Sequence, residues 1–194
     1  MNKTLLTATL LVASAAAFGQ QPAARTGYAG ATIGESRFWG ACDTPVALGF
    51  ACDMKDTAWR VFGGYRLTRA FAFEAGYADL GEVKAAGLLG GQPAGGSVKA
   101  TLFDFVGVGS YLVDERFSVY GKLGLYHGDA KTGANAQALG LSNSASSQGT
   151  DFTFGFGAQY FLTPHIAARF DWQRYSKFAG KDTDVVAIGA LYSF

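Results

Sequence analysis

The chain has 194 residues and a formal net charge of +1, long enough for one domain with a substantial interior. Charged residues supply 16% of it, below the quarter or so expected of a soluble domain, while glycine (27 residues) and aromatics (14%) are abundant. No basic stripe marks a nucleic-acid partner, and after the N-terminal segment no apolar run approaches the ~20 residues of a membrane helix.

The N-terminus, "MNKTLLTATLLVASAAAFGQ", sets Lys3 before an apolar run from Leu5 to Ala17 and then the small-x-small sequence Ala17-Phe18-Gly19. That order predicts a secretory signal peptide over 1–19, with 20–194 as the mature domain. No cysteine sits near the cut, so a lipid anchor there is not expected.

Beyond it, eight segments carry apolar residues at a period of two and are predicted as strands: 27–38, 57–67, 70–80, 100–113, 116–128, 151–162, 165–177 and 184–194. Thr68-Arg69, Asp114-Glu115 and Thr163-Pro164 are the short turns between them. The long connections are 39–56, 81–99, 129–150 and 178–183, and the Ala/Ser/Gly/Asn-rich third is expected to be mobile. An even strand number with short turns on one side and long loops on the other predicts an all-β fold, an eight-stranded antiparallel up-and-down transmembrane β-barrel. Both termini and the short turns are then expected in the periplasm.

Parity assigns the two faces. Phe152, Phe154, Phe156, Ala158 and Tyr160 oppose Thr153, Gly155, Gly157 and Gln159. Ile166, Ala168, Phe170 and Trp172 oppose Ala167, Arg169, Asp171 and Gln173, and Phe71, Phe73, Ala75 and Tyr77 oppose Ala72, Glu74 and Gly76. The polar face is too rich in glycine and too poor in Lys and Glu for a solvent surface. An eight-stranded barrel has an interior only wide enough for side chains to fill it, and small residues with a few charges suit that space better than stacked phenylalanines. The bulky face is therefore expected to meet lipid. Tyr65, Phe71, Tyr111, Phe117, Tyr160 and Phe194 would form one aromatic girdle, and Trp59, Tyr77, Phe103 and Trp172 the other.

The stretches "FGGYRLTRAFAFEAGYADLG" and "GAQYFLTPHIAARFDWQRY" resemble the second-third and sixth-seventh hairpins of the OmpA-like transmembrane-domain family. The resemblance covers essentially the whole mature chain, and it implies a barrel in the bacterial outer membrane. Family members can carry a soluble peptidoglycan-binding domain after the barrel; this chain stops at the last strand, so cell-wall tethering is not expected of it. The resemblance also implies that lumen carboxylates and basic residues bridge across the barrel and plug it. Glu74 and Arg169 match that pattern, with Lys122 and Asp171 also facing inward. The match departs at Gln159, where the family motif carries a carboxylate, and at Val108, about where a lysine would fall. A satisfied structural network is the expectation for these four charges, since buried charges are normally paired.

Cys42 and Cys52 are the only cysteines, both in the first long connection of an exported chain, and a disulfide between them is expected. Zinc would need further ligands, and no histidine lies nearby. His127, in "LYHGDA", has Asp129 close by but no serine in the motif; His165 follows Pro164 in a short turn. A serine activated by histidine needs the two within hydrogen-bond reach, so no catalytic site, metal or cofactor is expected. Tyr192 and Phe194 share the outward parity of the last strand, and resemblance to outer-membrane barrels implies that this terminal aromatic strand is what the barrel assembly machinery recognises. The expected function is a structural or surface-interaction role, with outer-membrane lipids as partners and the long loops as the contact surface for a ligand. The alternatives are a narrow porin-like channel for ions or small solutes and, from the enzyme class, a lipid A-modifying hydrolase.

Overall fold

The computed structural model describes residues 26–47, 49–89, 92–136, 141–178 and 180–194, so the expected signal peptide and its cleavage site lie outside the described residues. Among those described are nine strands and one short helix: β1 (Gly27–Phe38), α1 (Asp43–Ala47), β2 (Ala51–Asp53), β3 (Lys55–Arg66), β4 (Phe71–Leu89), β5 (Gln92–Leu112), β6 (Phe117–Ala136), β7 (Leu141–Phe161), β8 (Ile166–Phe178) and β9 (Lys181–Ser193). Each long strand pairs antiparallel with its sequence neighbour, and β1 pairs with β9 to close an eight-stranded barrel. The short β2 adds to the outer part of β4, outside the closed ring.

The three short turns share one chemistry. Thr68 Oγ1 accepts from the N–H of Ala70 (3.2 Å) and Phe71 (3.0 Å). Asp114 Oδ1 accepts from Arg116 and Phe117, both at 2.7 Å, and Thr163 Oγ1 from His165 (3.2 Å) and Ile166 (3.0 Å). A short side-chain oxygen thus caps two backbone donors that a tight turn leaves outside the ladder. These turns fall where the sequence places them.

At the opposite end the sequence expectation is corrected. The connections 81–99 and 129–150, expected as loops, are mostly strand: β4 pairs with β5 out to Leu89↔Gln92, and β6 with β7 out to Ala136↔Leu141. The neighbouring pair β7–β8 begins only at Thr153↔Tyr175, so four strands rise past the rest of the rim. Residues 144–150 of β7 are exposed without alternation. A ladder wetted on both faces needs no apolar period, so residues 144–150 carry no strand signal. A bulge at Asp79/Gly81 marks where β4 leaves the barrel wall. Gly81 has φ +84, a conformation that suits glycine, and an added Cβ would lie 2.6 Å from Asp56 Oδ2. Asp56 in turn accepts from the Glu82 N–H at 2.7 Å.

Within the ring the faces follow parity. Ile188, Phe152, Phe156, Phe105 and Leu123 are exposed on the outside, while Thr153, Ala167, Arg169 and Leu191 are buried inside. At the short-turn end Tyr65, Phe71, Tyr111, Tyr160 and Phe194 are exposed. Toward the other rim Tyr77 is half-buried because it packs between Trp59 (5.7 Å) and Phe103 (4.8 Å), and Trp172 lies against Phe154 and Phe156. The interior holds more than the small residues and charges expected of it. Among the described residues seven buried aromatics fill it, Tyr28, Phe38, Phe62, Tyr120, Tyr126, Tyr175 and Phe178. Glycines make room for some of these, as Gly157 on the neighbouring strand does for the Tyr120 hydroxyl.

Candidate functional site: a charged layer in the lumen

Alternation along β3, β4, β5, β6 and β8 points Arg60, Glu74, Asp104, Lys122, Arg169 and Asp171 into the barrel, and all six are buried. Three cations face three carboxylates, so the layer is neutral as a whole. Arg169 is its centre. Its Nη1 donates to Glu74 Oε1 at 2.6 Å and its Nη2 to Glu74 Oε2 at 3.3 Å, a two-pronged pair across the lumen. Its Nε donates to Asp171 Oδ2 at 2.8 Å and to the Tyr120 hydroxyl at 2.7 Å.

The remaining charges attach to this centre. Lys122 Nζ donates to Asp171 Oδ1 at 2.5 Å, and the Tyr120 hydroxyl donates to the same oxygen at 2.8 Å. Arg60 forks onto Asp104, with Nε to Oδ2 at 2.8 Å and Nη2 to Oδ1 at 2.6 Å, and reaches Glu74 Oε2 at 3.4 Å. Tyr28 donates to Glu74 at 3.0 Å and Tyr175 to Asp104 at 3.1 Å. Every carboxylate therefore has at least two donors. Gly76 explains how Arg60 fits: a Cβ there would come 2.7 Å from Arg60 Nε.

Apolar side chains sandwich this layer. Toward the short turns lie Tyr28, Phe62, Ala167 and Leu191, and the Phe62 ring takes both Arg60 (4.8 Å) and Arg169 (4.6 Å) on its face. Toward the other mouth Leu80, Leu102, Tyr126, Tyr175 and Phe178 pack together, joined by Phe38 from the end of β1 and Cys42 from the first connection. Between the layers remains a void of about 20 Å³, room for about one water, bordered by Arg60, Lys122, Asp171 and Gln173.

The structure brings together the four lumen charges picked from the sequence, Glu74, Lys122, Arg169 and Asp171. Arg60 and Asp104 were missed, though their signal was present. Arg60 stands alone between Trp59 and Val61, and Asp104 between Phe103 and Phe105, each a single charge on the inward parity of an apolar run. Val108 and Gln159 are both buried, and neither belongs to the ion-pair network. Cys42 and Cys52 are bridged, with Cα atoms 5.7 Å apart.

The histidines lie at opposite ends. His127 is exposed on the outer face with Nδ1 2.9 Å from Thr150 Oγ1. His165 stacks on Tyr192 at 5.6 Å and its Nδ1 lies 3.1 Å from the Ser193 carbonyl. Tyr192 and Phe194 are exposed on the outer wall, and the Phe194 N–H donates to the Gly27 carbonyl at 3.0 Å, which ties the last residue to the first strand.

Comparison with known proteins bears on all of this. The model of the OmpA-like transmembrane domain matches residues 22–193. Outer membrane protein A of Shigella dysenteriae is 27% identical over 207 aligned residues, covering 100% of this chain and 56% of that protein. The chain thus spans about half the length of the curated relatives it matches. Among solved structures, the outer membrane protein OprG from Pseudomonas aeruginosa aligns with a TM-score of 0.57 at 15% identity, over 88% of this chain and 97% of that one. Ail of Yersinia pestis, solved in complex with the heparin analogue sucrose octasulfate, aligns with a TM-score of 0.53 at 18% identity, over 87% and 99%. At such identities these two likenesses concern the fold.

Proposed function

Since the chain belongs to the OmpA-like transmembrane-domain family of outer-membrane β-barrels, we propose that it is a closed, non-conducting member that stabilises the outer membrane and presents a contact surface outside it. The charged layer carries this reading. Six buried charges bridge β3, β4, β5, β6 and β8 with every carboxylate doubly bonded, and apolar layers lie on both sides. An ion crossing such a lumen would have to break several of these pairs and then pass two dry layers. Both costs are large, because buried charges separated from their partners are poorly solvated. Outer-membrane lipids would cover the apolar outer wall, the termini and short turns would face the periplasm, and the strands that rise past the rim would form the outward contact surface.

Planar-bilayer recording of the whole chain tests the proposal. We expect a flat baseline at neutral pH under an applied voltage. Regular unitary steps from the unaltered protein would overturn it in favour of a narrow channel.

A further inference from the structure

We infer that the bare edge of β7 docks a second copy of this chain, strand against antiparallel strand, between barrels facing each other from two membranes. β7 pairs with β6 along its length, but its pairing with β8 starts only at Thr153. Among the described residues no strand pairs with the other side of 141–152. The Phe161 N–H points toward β6, donating to the Arg116 carbonyl at 2.8 Å. The register against β6 has no bulge, so alternation turns the backbone groups of Ser144, Ser146, Gln148 and Thr150 away from β6. Phe152 shares that parity, and its N–H is taken up by Asp151 Oδ1 at 2.7 Å. The opposite edge of the rising sheet is guarded: β2 covers β4 over 84–86 and is tied down by the Cys42–Cys52 bridge. Exposed edges are normally blunted by proline, charge or a covering segment. Residues 144–150, "SASSQGT", contain no proline or charge, and all are exposed.

What fits this edge is its own copy. A twofold axis through Ser147 sets Ser146 opposite Gln148 and Ser144 opposite Thr150, and each such pair exchanges two backbone hydrogen bonds. Small or polar side chains then face one another throughout, and no like charges are opposed. On β6, Lys131 pairs with Ser146 and Asp129 with Gln148. The same axis therefore brings Lys131 of one copy level with Asp129 of the other, so the flanking charges are complementary. Two barrels side by side in one membrane could not pair this way. Barrel strands tilt by about 40°, so a twofold normal to that membrane would cross the two edges instead of aligning them. From Thr153 to Ser147 the strand runs on for ~20 Å at ~3.3 Å per residue, above the last β7–β8 pair and within reach of an opposed copy. A second copy is thus the partner of the outward contact surface, and this rests on the reading of that surface given above.

The test uses the whole chain in phosphatidylcholine vesicles, with clustering followed by light scattering, and in maltoside micelles, with particle mass followed in the same way. We expect vesicles to cluster and micelles to pair as protein concentration rises. Ser147→Lys sets like charges together at the axis and should weaken association roughly severalfold or more. Mixing vesicles bearing Ser147→Lys with vesicles bearing Ser147→Asp should restore it. Ser146→Pro removes one N–H that faces the copy while sparing the β6 ladder, and it should abolish clustering. Ser147→Cys should form an intermolecular disulfide under mild oxidation, since Cα atoms at such a pair lie about 4.5 Å apart; Ser144→Cys should not. Heat-modifiable migration on gels checks that each variant is folded. A monomeric, non-clustering chain would overturn the inference, as would association indifferent to Ser147→Lys or equal cross-linking at 144 and 147. Should such a chain still give a flat bilayer baseline, the closed-barrel reading stands; unitary steps from a clustering chain would overturn that reading alone.

Discussion

The lumen is filled twice by opposite means. In the charged layer Arg169, Glu74, Asp171, Lys122, Arg60 and Asp104 exclude water through mutual pairing. In the layer toward the long-strand mouth Leu80, Leu102, Tyr126, Tyr175 and Phe178 do so by packing. The two fillings respond differently to damage. An ion-pair network depends on complementarity, so losing one partner leaves another charge stranded, and losing both together is milder. An apolar layer depends on volume, so each loss adds a void and a second loss deepens it. Tyr175 joins the two, packing in the apolar layer while its hydroxyl donates to Asp104 at 3.1 Å.

The most disruptive way to probe the contrast is Arg169→Ala. It leaves Glu74 and Asp171 each short of a cation, and it should cost about 3–5 kcal/mol, read as a lower urea midpoint in lipid vesicles. Adding Glu74→Gln should recover part of that loss. Stability unchanged by the single substitution, or a double variant weaker than the single one, would remove the distinction drawn between the layers.

Leu102→Ala probes the other layer. The side chain is 1% exposed, and the truncation should cost about 2–5 kcal/mol by the usual cavity relation. Here a second truncation, Leu80→Ala, should add to the loss. Recovery in that double variant would mean that the apolar layer behaves like a paired network after all.

The smallest effect is expected at the lid of the apolar layer. Cys42 is 4% exposed and packs with Phe38 in that cluster, and its bridge to Cys52 closes a loop of sequence separation 10. Cys42→Ser should lower stability by about 2–3 kcal/mol at most in the chain-entropy model, while the barrel still assembles. Heat-modifiable migration on gels should persist, and protease should cut within 39–54 sooner than in the unaltered protein. Loss of the folded band would show that the first connection is needed for closure of the ring and is no mere lid.

Much of this was legible before any coordinates. The period of two in "DFTFGFGAQYF" and "IAARFDW" gives both the strands and their faces, because the lipid side of a barrel wall must be apolar at every second residue. Thr68, Asp114 and Thr163 mark the short turns because each carries the side-chain oxygen that a tight turn needs. The rising strands were illegible for the converse reason. Water on both faces of "SASSQGT" (144–150) imposes no alternation, and only the neighbouring ladder makes it a strand.

The sequence by itself determined the barrel, the facing of side chains along the barrel wall and the presence of inward charges, since all three follow from local periodicity. Tertiary structure alone decided which charge meets which. Arg60 and Asp104 lie 44 residues apart, and Arg169 and Glu74 lie 95 apart. Their meeting depends on strand register and on the closure of β1 against β9. Strand direction is a property of neighbouring residues along the chain, whereas pairing across a lumen is a property of the closed ring.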